Sequence, residues 1–151
     1  KWKLITICVI HPLSSSYLDE NGLKSELQVL APPSKVEESL LKMIKLYQEY
    51  KKANVSGEVL AAWVHATFIY IHLFADGNGR VARALPSLIL LQNNLLPFNV
   101  SPKSKKRYIK VLRMSRDGDL SPLLQFIEDQ QEELLFSSDD TAFRLKETLT
   151  H

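Results

Sequence analysis

The chain has 151 residues, of which 45% are hydrophobic and 24% are charged, as is ordinary for one globular domain large enough to bury a core. A net charge of +2 does not by itself indicate a nucleic-acid partner, and a single cysteine excludes an internal disulfide. No apolar run is long enough to span a membrane, and no signal peptide is evident. Because the chain begins with Lys1 rather than Met, we expect a fragment of a longer protein, and its compartment stays undecided.

The first thirty residues carry mixed signals. Residues 4–10 form an apolar run that fits a helix or a strand equally well. Residues 14–21 are rich in turn-forming side chains and are predicted to be a loop. Residues 23–31 favour a short extended hairpin.

The rest of the chain is predicted to be helical. Ser34 and Glu37 form a capping-box pattern for a helix that reaches about residue 52. Ser56 can cap a second helix, apolar on most faces and therefore expected at the buried centre of the fold. A third helix is predicted from about 79 to 93, with a kink at Pro86. Serine–proline pairs at 101–102 and 121–122 predict two more helices, which end near residues 115 and 136.

Residues 72–83, with the sequence HLFADGNGRVAR, carry most of the recognisable chemistry. Gly77 and Gly79 allow a sharp turn, and a helical pattern follows at once. A helix N-terminus offers free N–H groups and a positive dipole end, which together favour an anion. Arg80 and Arg83 lie in the first turn of that helix, where the dipole disfavours cations. The pattern therefore predicts a bound anion, most naturally a nucleotide polyphosphate.

Three other kinds of phosphate or metal site fit these residues poorly. A dinucleotide-binding fingerprint needs an acidic ribose ligand about 20 residues on, but no acidic residue lies between Asp76 and Asp117. A P-loop needs a Gly-Lys-Ser/Thr sequence that is missing. A metal hydrolase would need a second histidine within a helical turn of His72.

The complete motif resembles the His-x-Phe-x-Asp/Glu-Gly-Asn-Gly-Arg-x-x-Arg pattern of the Fic (Fido) domain family. Flanking residues extend the resemblance to animal-type Fic protein adenylyltransferases over about residues 7–136. It implies an all-α fold, a Fic-fold helical core with a small β-hairpin flap over the active site at about residues 24–30. We expect the Fic domain at residues 1–136 and a polar, loosely ordered C-terminal tail at 137–151.

The resemblance implies transfer of AMP from ATP to a Ser, Thr or Tyr hydroxyl of a target protein. The residues fit that chemistry, because a hydroxyl needs a neighbouring base and His72 is the only candidate in the motif. Asp76 can hold Mg²⁺, a hard cation that takes carboxylate and phosphate oxygens.

The predicted nucleotide-binding residues supply backbone amides, an amide side chain, guanidinium groups or an aromatic ring. They are Gly77, Asn78, Gly79, Arg80, Arg83 and Tyr108. Packing in the core is an equal alternative for Tyr108. His65 is expected to be a core residue.

Several alternatives stay open at this level. The same site could remove AMP or transfer another nucleotide or phosphate group. A catalytically impaired nucleotide-binding domain is another alternative, because the chain departs from the family pattern in three places. Leu73 stands where the family usually has proline, and Pro86 is unusual in the helix that carries Arg83. Ile109 and Arg116 replace residues that resemble adenine contacts in animal-type members. A homodimer is also open. The basic run 103–116 is interpreted as a solvated helix face, so no nucleic-acid partner is expected.

Overall fold

The computed structural model describes residues 17–18, 24–25, 30–115 and 118–149, with side chains of the last helix described as far as Phe136. Within these ranges two very short strands precede five helices. They are β1 (Tyr17–Leu18), β2 (Lys24–Ser25), α1 (Val36–Lys52), α2 (Gly57–Ile71), α3 (Asn78–Gln92), α4 (Lys105–Met114) and α5 (Ser121–Leu149). None of the helices in the described ranges combines the length and apolar character that a membrane span requires.

Helix α2 is the centre of the fold, as the sequence predicts. Ser56 caps it, and its hydroxyl accepts a hydrogen bond from the Val59 amide at 3.5 Å. Ten of its 15 residues are buried, so every face of the helix must be covered by another element. Helix α3 packs most extensively against α2, and α1 and α5 also contact it. The ends of α2 and α3 therefore carry the connecting motif on a well-packed support.

The predicted capping box at the start of α1 is wrong. Residues Pro33–Lys35 form a single 3-10 turn, α1 begins at Val36, and no side chain caps either helix. Ser34 lies within the 3-10 turn, so its side chain is not at the cap position where it would pair with Glu37. The proline at the first position of the turn has the backbone angle that a helix start requires, and this local preference prevails over the capping pattern.

Helix α4 also begins later than predicted. Residues 102–104 form a turn, and the helix starts at Lys105. The Ser101 hydroxyl accepts a hydrogen bond from the Ser104 amide at 3.1 Å, as a capping serine would, but this bond closes a turn ahead of the helix.

Helix α5 is longer than predicted. The sequence suggests an end near Phe136 and a loosely ordered tail, whereas the helix continues to Leu149. The polar run from residue 137 to 149 contains neither glycine nor proline, so it holds no residue that ends a helix.

The described N-terminal residues form a small antiparallel ladder. Tyr17 pairs with Ser25 and Leu18 with Lys24, so two residues of the predicted loop are extended instead. Residues 4–10, 26–29 and 116–117 lie outside the described residues, so the predicted apolar run, the second half of the predicted hairpin and Arg116 lie there too. A flap over the active site stays a prediction.

Candidate active site

The motif surrounds one open hollow of about 300 Å³, at the lower end of the range of ligand pockets. Its lining consists almost entirely of residues from the loop between α2 and α3 and from the first turns of α3. They are His72, Ala75, Asp76, Gly77, Asn78, Gly79, Arg80 and Arg83. The structure thus brings all the sequence-predicted site residues to one hollow, with the exception of Tyr108.

Two left-handed residues make the loop turn sharply enough to form this hollow. His72 ends α2 with φ 52° and ψ 52°, and its amide donates to the Phe68 carbonyl at 3.1 Å. Gly77 has φ 86° and is the N-cap of α3. Glycine adopts this conformation at little cost, but a histidine does so only with strain. His72 therefore has a strained backbone conformation, and such strain is common at functional sites.

Both carboxylate oxygens of Asp76 accept a hydrogen bond within its own turn. One carboxylate oxygen accepts from the Gly77 amide at 2.6 Å and the other from the Arg80 guanidinium at 3.1 Å. Both side chains are well exposed, at 93% for Asp76 and 76% for Arg80, so the pair contributes little to stability. Each oxygen keeps a lone pair that a cation could share, because a carboxylate accepts at about four positions.

The donor set fits Mg²⁺ that is shared with a ligand. In the described ranges no group of three acidic, histidine or cysteine side chains comes together. Mg²⁺ is commonly held by one or two carboxylates, with water and substrate phosphates as the remaining ligands. The Asp76 carboxylate at the rim of the hollow meets that requirement.

Asn78 stabilises the loop through its side chain. The residue is only 3% exposed. Its side-chain oxygen accepts from the Phe74 amide at 2.9 Å, and its side-chain nitrogen donates to the Phe74 carbonyl. Both side-chain polar atoms of Asn78 are thus engaged within the loop. Asn78 and Gly79 are also the first two residues of α3 and line the hollow, and the first backbone amides of a helix have no acceptor within it.

His72 has one buried nitrogen. Its Nδ1 is inaccessible to solvent and has no hydrogen-bond partner among the described residues. His72 lines the hollow, so Nε2 is the nitrogen available to a ligand there. Acceptance of a proton at Nε2 requires the neutral tautomer that carries its hydrogen on Nδ1.

Tyr108 lies behind the hollow rather than in its lining. It is 7% exposed, and its ring packs among His65, Phe98 and Phe126 at centroid separations of 5.6, 6.1 and 5.9 Å. Burial raises the pKa of its hydroxyl, while the charge of Arg83 and a side-chain hydrogen bond from Arg83 act to lower it. Direct contact of Tyr108 with a nucleotide stays a prediction, but its contact with Arg83 links it to the site.

His65 is a residue that sequence reasoning undervalued. It is fully buried; its Nδ1 lies 2.5 Å from the Ala82 carbonyl and its Nε2 3.0 Å from the Tyr108 hydroxyl. Burial, with a smaller effect of the Arg83 charge, lowers the pKa of His65 to about 4 despite the opposing bond to Ala82. The sequence holds one clue, since Pro86 lies four residues after Ala82 and leaves its carbonyl without the usual helical donor.

Comparisons with known proteins bear on the motif and on the fold. The model of the Fic/DOC family matches residues 10–90, which include the whole motif. Proteins named protein adenylyltransferase Fic from Drosophila persimilis and Drosophila melanogaster are each 33% identical over 75 residues, half of this chain and 15% of theirs. This chain therefore matches only a small part of those relatives.

Solved structures show the same fold. Fic-1 (residues 134–508) from C. elegans has a TM-score of 0.68 at 20% identity, covering 90% of this chain and 38% of that one. A Fic domain-containing signaling protein from Bacteroides thetaiotaomicron has a TM-score of 0.62 at 23% identity, covering 78% of this chain and 47% of that one. Motif, helical fold and family match together establish that the chain belongs to the Fic/DOC family.

Proposed function

We propose that this domain transfers AMP from ATP to a hydroxyl group of a protein, with His72 as the general base. One observation carries the proposal: an imidazole, a carboxylate, a helix N-terminus and two guanidinium groups line a single hollow. Each is a group that nucleotidyl transfer uses. The names of the Drosophila relatives, which are protein adenylyltransferases, support the same reaction.

The proposed reaction is an attack on the α-phosphorus of ATP. The hydroxyl oxygen of the target forms a bond to that phosphorus, the bond to the oxygen that bridges the α- and β-phosphates breaks, and pyrophosphate leaves. The hydroxyl proton passes to Nε2 of His72. A phosphoryl centre needs little covalent help from the protein, so positioning and charge stabilisation supply most of the acceleration.

The remaining residues bind and orient the triphosphate. The amides of Asn78 and Gly79 would face the phosphates at the N-terminus of α3. Arg80 and Arg83 would bind the outer phosphates, where two parallel hydrogen bonds from one guanidinium are strong. Asp76 would hold Mg²⁺, which when bound neutralises charge on the phosphates.

The test incubates this chain with ATP labelled at the α- or the γ-phosphate, with and without Mg²⁺, and follows label on protein. Label from the α-phosphate alone is expected. His72→Ala should abolish transfer while ATP binding persists, and Arg83→Ala should weaken binding. Arg113→Ala is the matched control, because this exposed arginine on α4 does not line the hollow.

Each alternative chemistry gives a different pattern. Label from the γ-phosphate would indicate phosphoryl transfer, and release of AMP from a modified target would indicate the reverse reaction. Binding of ATP without any transfer would indicate a nucleotide-binding domain. Undiminished transfer by His72→Ala would refute its role as the base. A panel of ATP, GTP, CTP and UTP tests the base preference that Ile109, 41% exposed, leaves open.

A further inference from the structure

A buried chain of hydrogen bonds runs through the core to one side of the hollow. It starts at the Ala82 carbonyl, one residue before Arg83. His65 Nδ1 lies 2.5 Å from that carbonyl, and His65 Nε2 lies 3.0 Å from the Tyr108 hydroxyl. The Arg83 guanidinium lies close enough to the Tyr108 hydroxyl for its charge to lower the pKa of that hydroxyl. The two hydrogen bonds therefore run from the backbone of α3 to a hydroxyl beside the second motif arginine.

The direction of every bond in this chain is fixed. A carbonyl oxygen only accepts, so Nδ1 of His65 carries the hydrogen and donates to Ala82. His65 is neutral at ordinary pH, since its pKa is lowered to about 4. Its Nε2 must then accept, and the Tyr108 hydroxyl donates to it. The phenolic oxygen keeps its lone pairs for the N–H groups of Arg83.

Pro86 explains why the Ala82 carbonyl is available to His65. In a regular helix the amide of residue 86 would donate to the carbonyl of residue 82, but proline has no N–H. Pro86 lies inside α3 and is fully buried. A buried carbonyl without a partner is costly, and His65 supplies the missing donor. The histidine and the proline thus complement each other across the contact between α2 and α3.

We propose that His65 and Tyr108 are positioning residues that hold the Arg83 guanidinium at the rim of the hollow, ready for the outer phosphates of a nucleotide. This proposal depends on the proposed function for one point only, namely that the ligand of the hollow is a nucleotide. Arg83 is half-buried and long, and without a fixed partner its side chain would lose rotamer freedom on binding. A tyrosine held by a buried histidine removes that freedom in advance.

The central variant is Tyr108→Phe, which removes one hydroxyl and keeps the ring among its aromatic neighbours. Binding of ATP and of AMP is measured by calorimetry. We expect affinity for ATP to fall about tenfold and affinity for AMP to change little, since AMP lacks the outer phosphates. In an Arg83→Ala background, Tyr108→Phe should cause no further loss, because Tyr108 acts through that arginine.

Two controls separate positioning from damage to the fold. Tyr47→Phe also removes a tyrosine hydroxyl, from α1, none of whose residues lines the hollow, and should leave both affinities unchanged. His65→Gln can both donate to Ala82 and accept from Tyr108, so it should retain more ATP affinity than His65→Leu. Thermal unfolding without nucleotide confirms that each variant is folded.

A spectroscopic measurement decides the question without any nucleotide. One of the guanidinium N–H resonances of Arg83 should be protected from solvent exchange in the original chain and lose that protection in Tyr108→Phe. Unchanged protection, an equal loss of AMP and ATP affinity, or additive losses in the double variant would overturn the proposal. If the original chain binds neither nucleotide, the proposed function fails, and the Arg83 resonance still tests the positioning role.

Discussion

The left-handed backbone at His72 predicts that replacing this residue by glycine stabilises the fold relative to replacing it by alanine, although both variants lose the proposed general base. With φ 52° and ψ 52°, His72 lies close to the ideal left-handed conformation. That conformation costs a residue with a Cβ roughly 1–2 kcal/mol. Glycine avoids this cost but loses more entropy on folding, which offsets about 0.4–1 kcal/mol. His72→Gly should therefore be more stable than His72→Ala by about 1 kcal/mol.

The comparison isolates the backbone, because both variants lack the imidazole and both should have lost AMP transfer. Urea unfolding gives the difference directly, and for a chain of this size about 1 kcal/mol corresponds to a rise of roughly 2–4 °C in Tm. The matched control is Gln48, an exposed residue inside α1. There the order should reverse, with alanine more stable than glycine by about 0.8–1 kcal/mol.

An equal or lower stability of His72→Gly relative to His72→Ala would refute the reasoning. It would mean that the left-handed geometry at the end of α2 imposes no cost on a side chain. The expected order, together with lost transfer in both variants, would identify His72 as a position where function is retained at the expense of stability.

Three further outcomes are expected. Because the folded-state pKa of His65 is about 4 and the unfolded value is about 6.5, the unfolded chain binds more protons between these values. Stability should fall by on the order of 3 kcal/mol as pH drops through that window, and His65→Gln should lose that part of the slope in urea unfolding. Asp76→Asn should lower transfer and raise the Mg²⁺ concentration needed for half-maximal transfer, yet shift stability by less than about 1 kcal/mol, since its ion pair with Arg80 is exposed. Ser56→Ala should cost about 0.5–1 kcal/mol, because its capping bond is long at 3.5 Å, and a normal unfolding free energy would contradict that role.

The sequence by itself determined the features that depend on residues close together in the chain. The cap at Ser56 and the apolar faces of α2 follow from spacing within one helix, and the structure confirms both. The turn at Gly77 follows from glycine chemistry, and the hollow forms around it. Local patterns failed where two of them competed, as at Ser34, where a proline turn replaced the predicted capping box.

Only the tertiary structure decided how distant residues meet behind the hollow. His65 and Tyr108 are 43 positions apart, and His65 and Ala82 are 17 apart. Their hydrogen bonds depend on how α3 and α4 pack around α2, and no periodicity within one helix encodes that arrangement. A buried histidine in an apolar helix is expected to find some partner, but its spacing does not say which one. The packing of the helices makes that choice, because it decides which polar atoms come within 3 Å of each other.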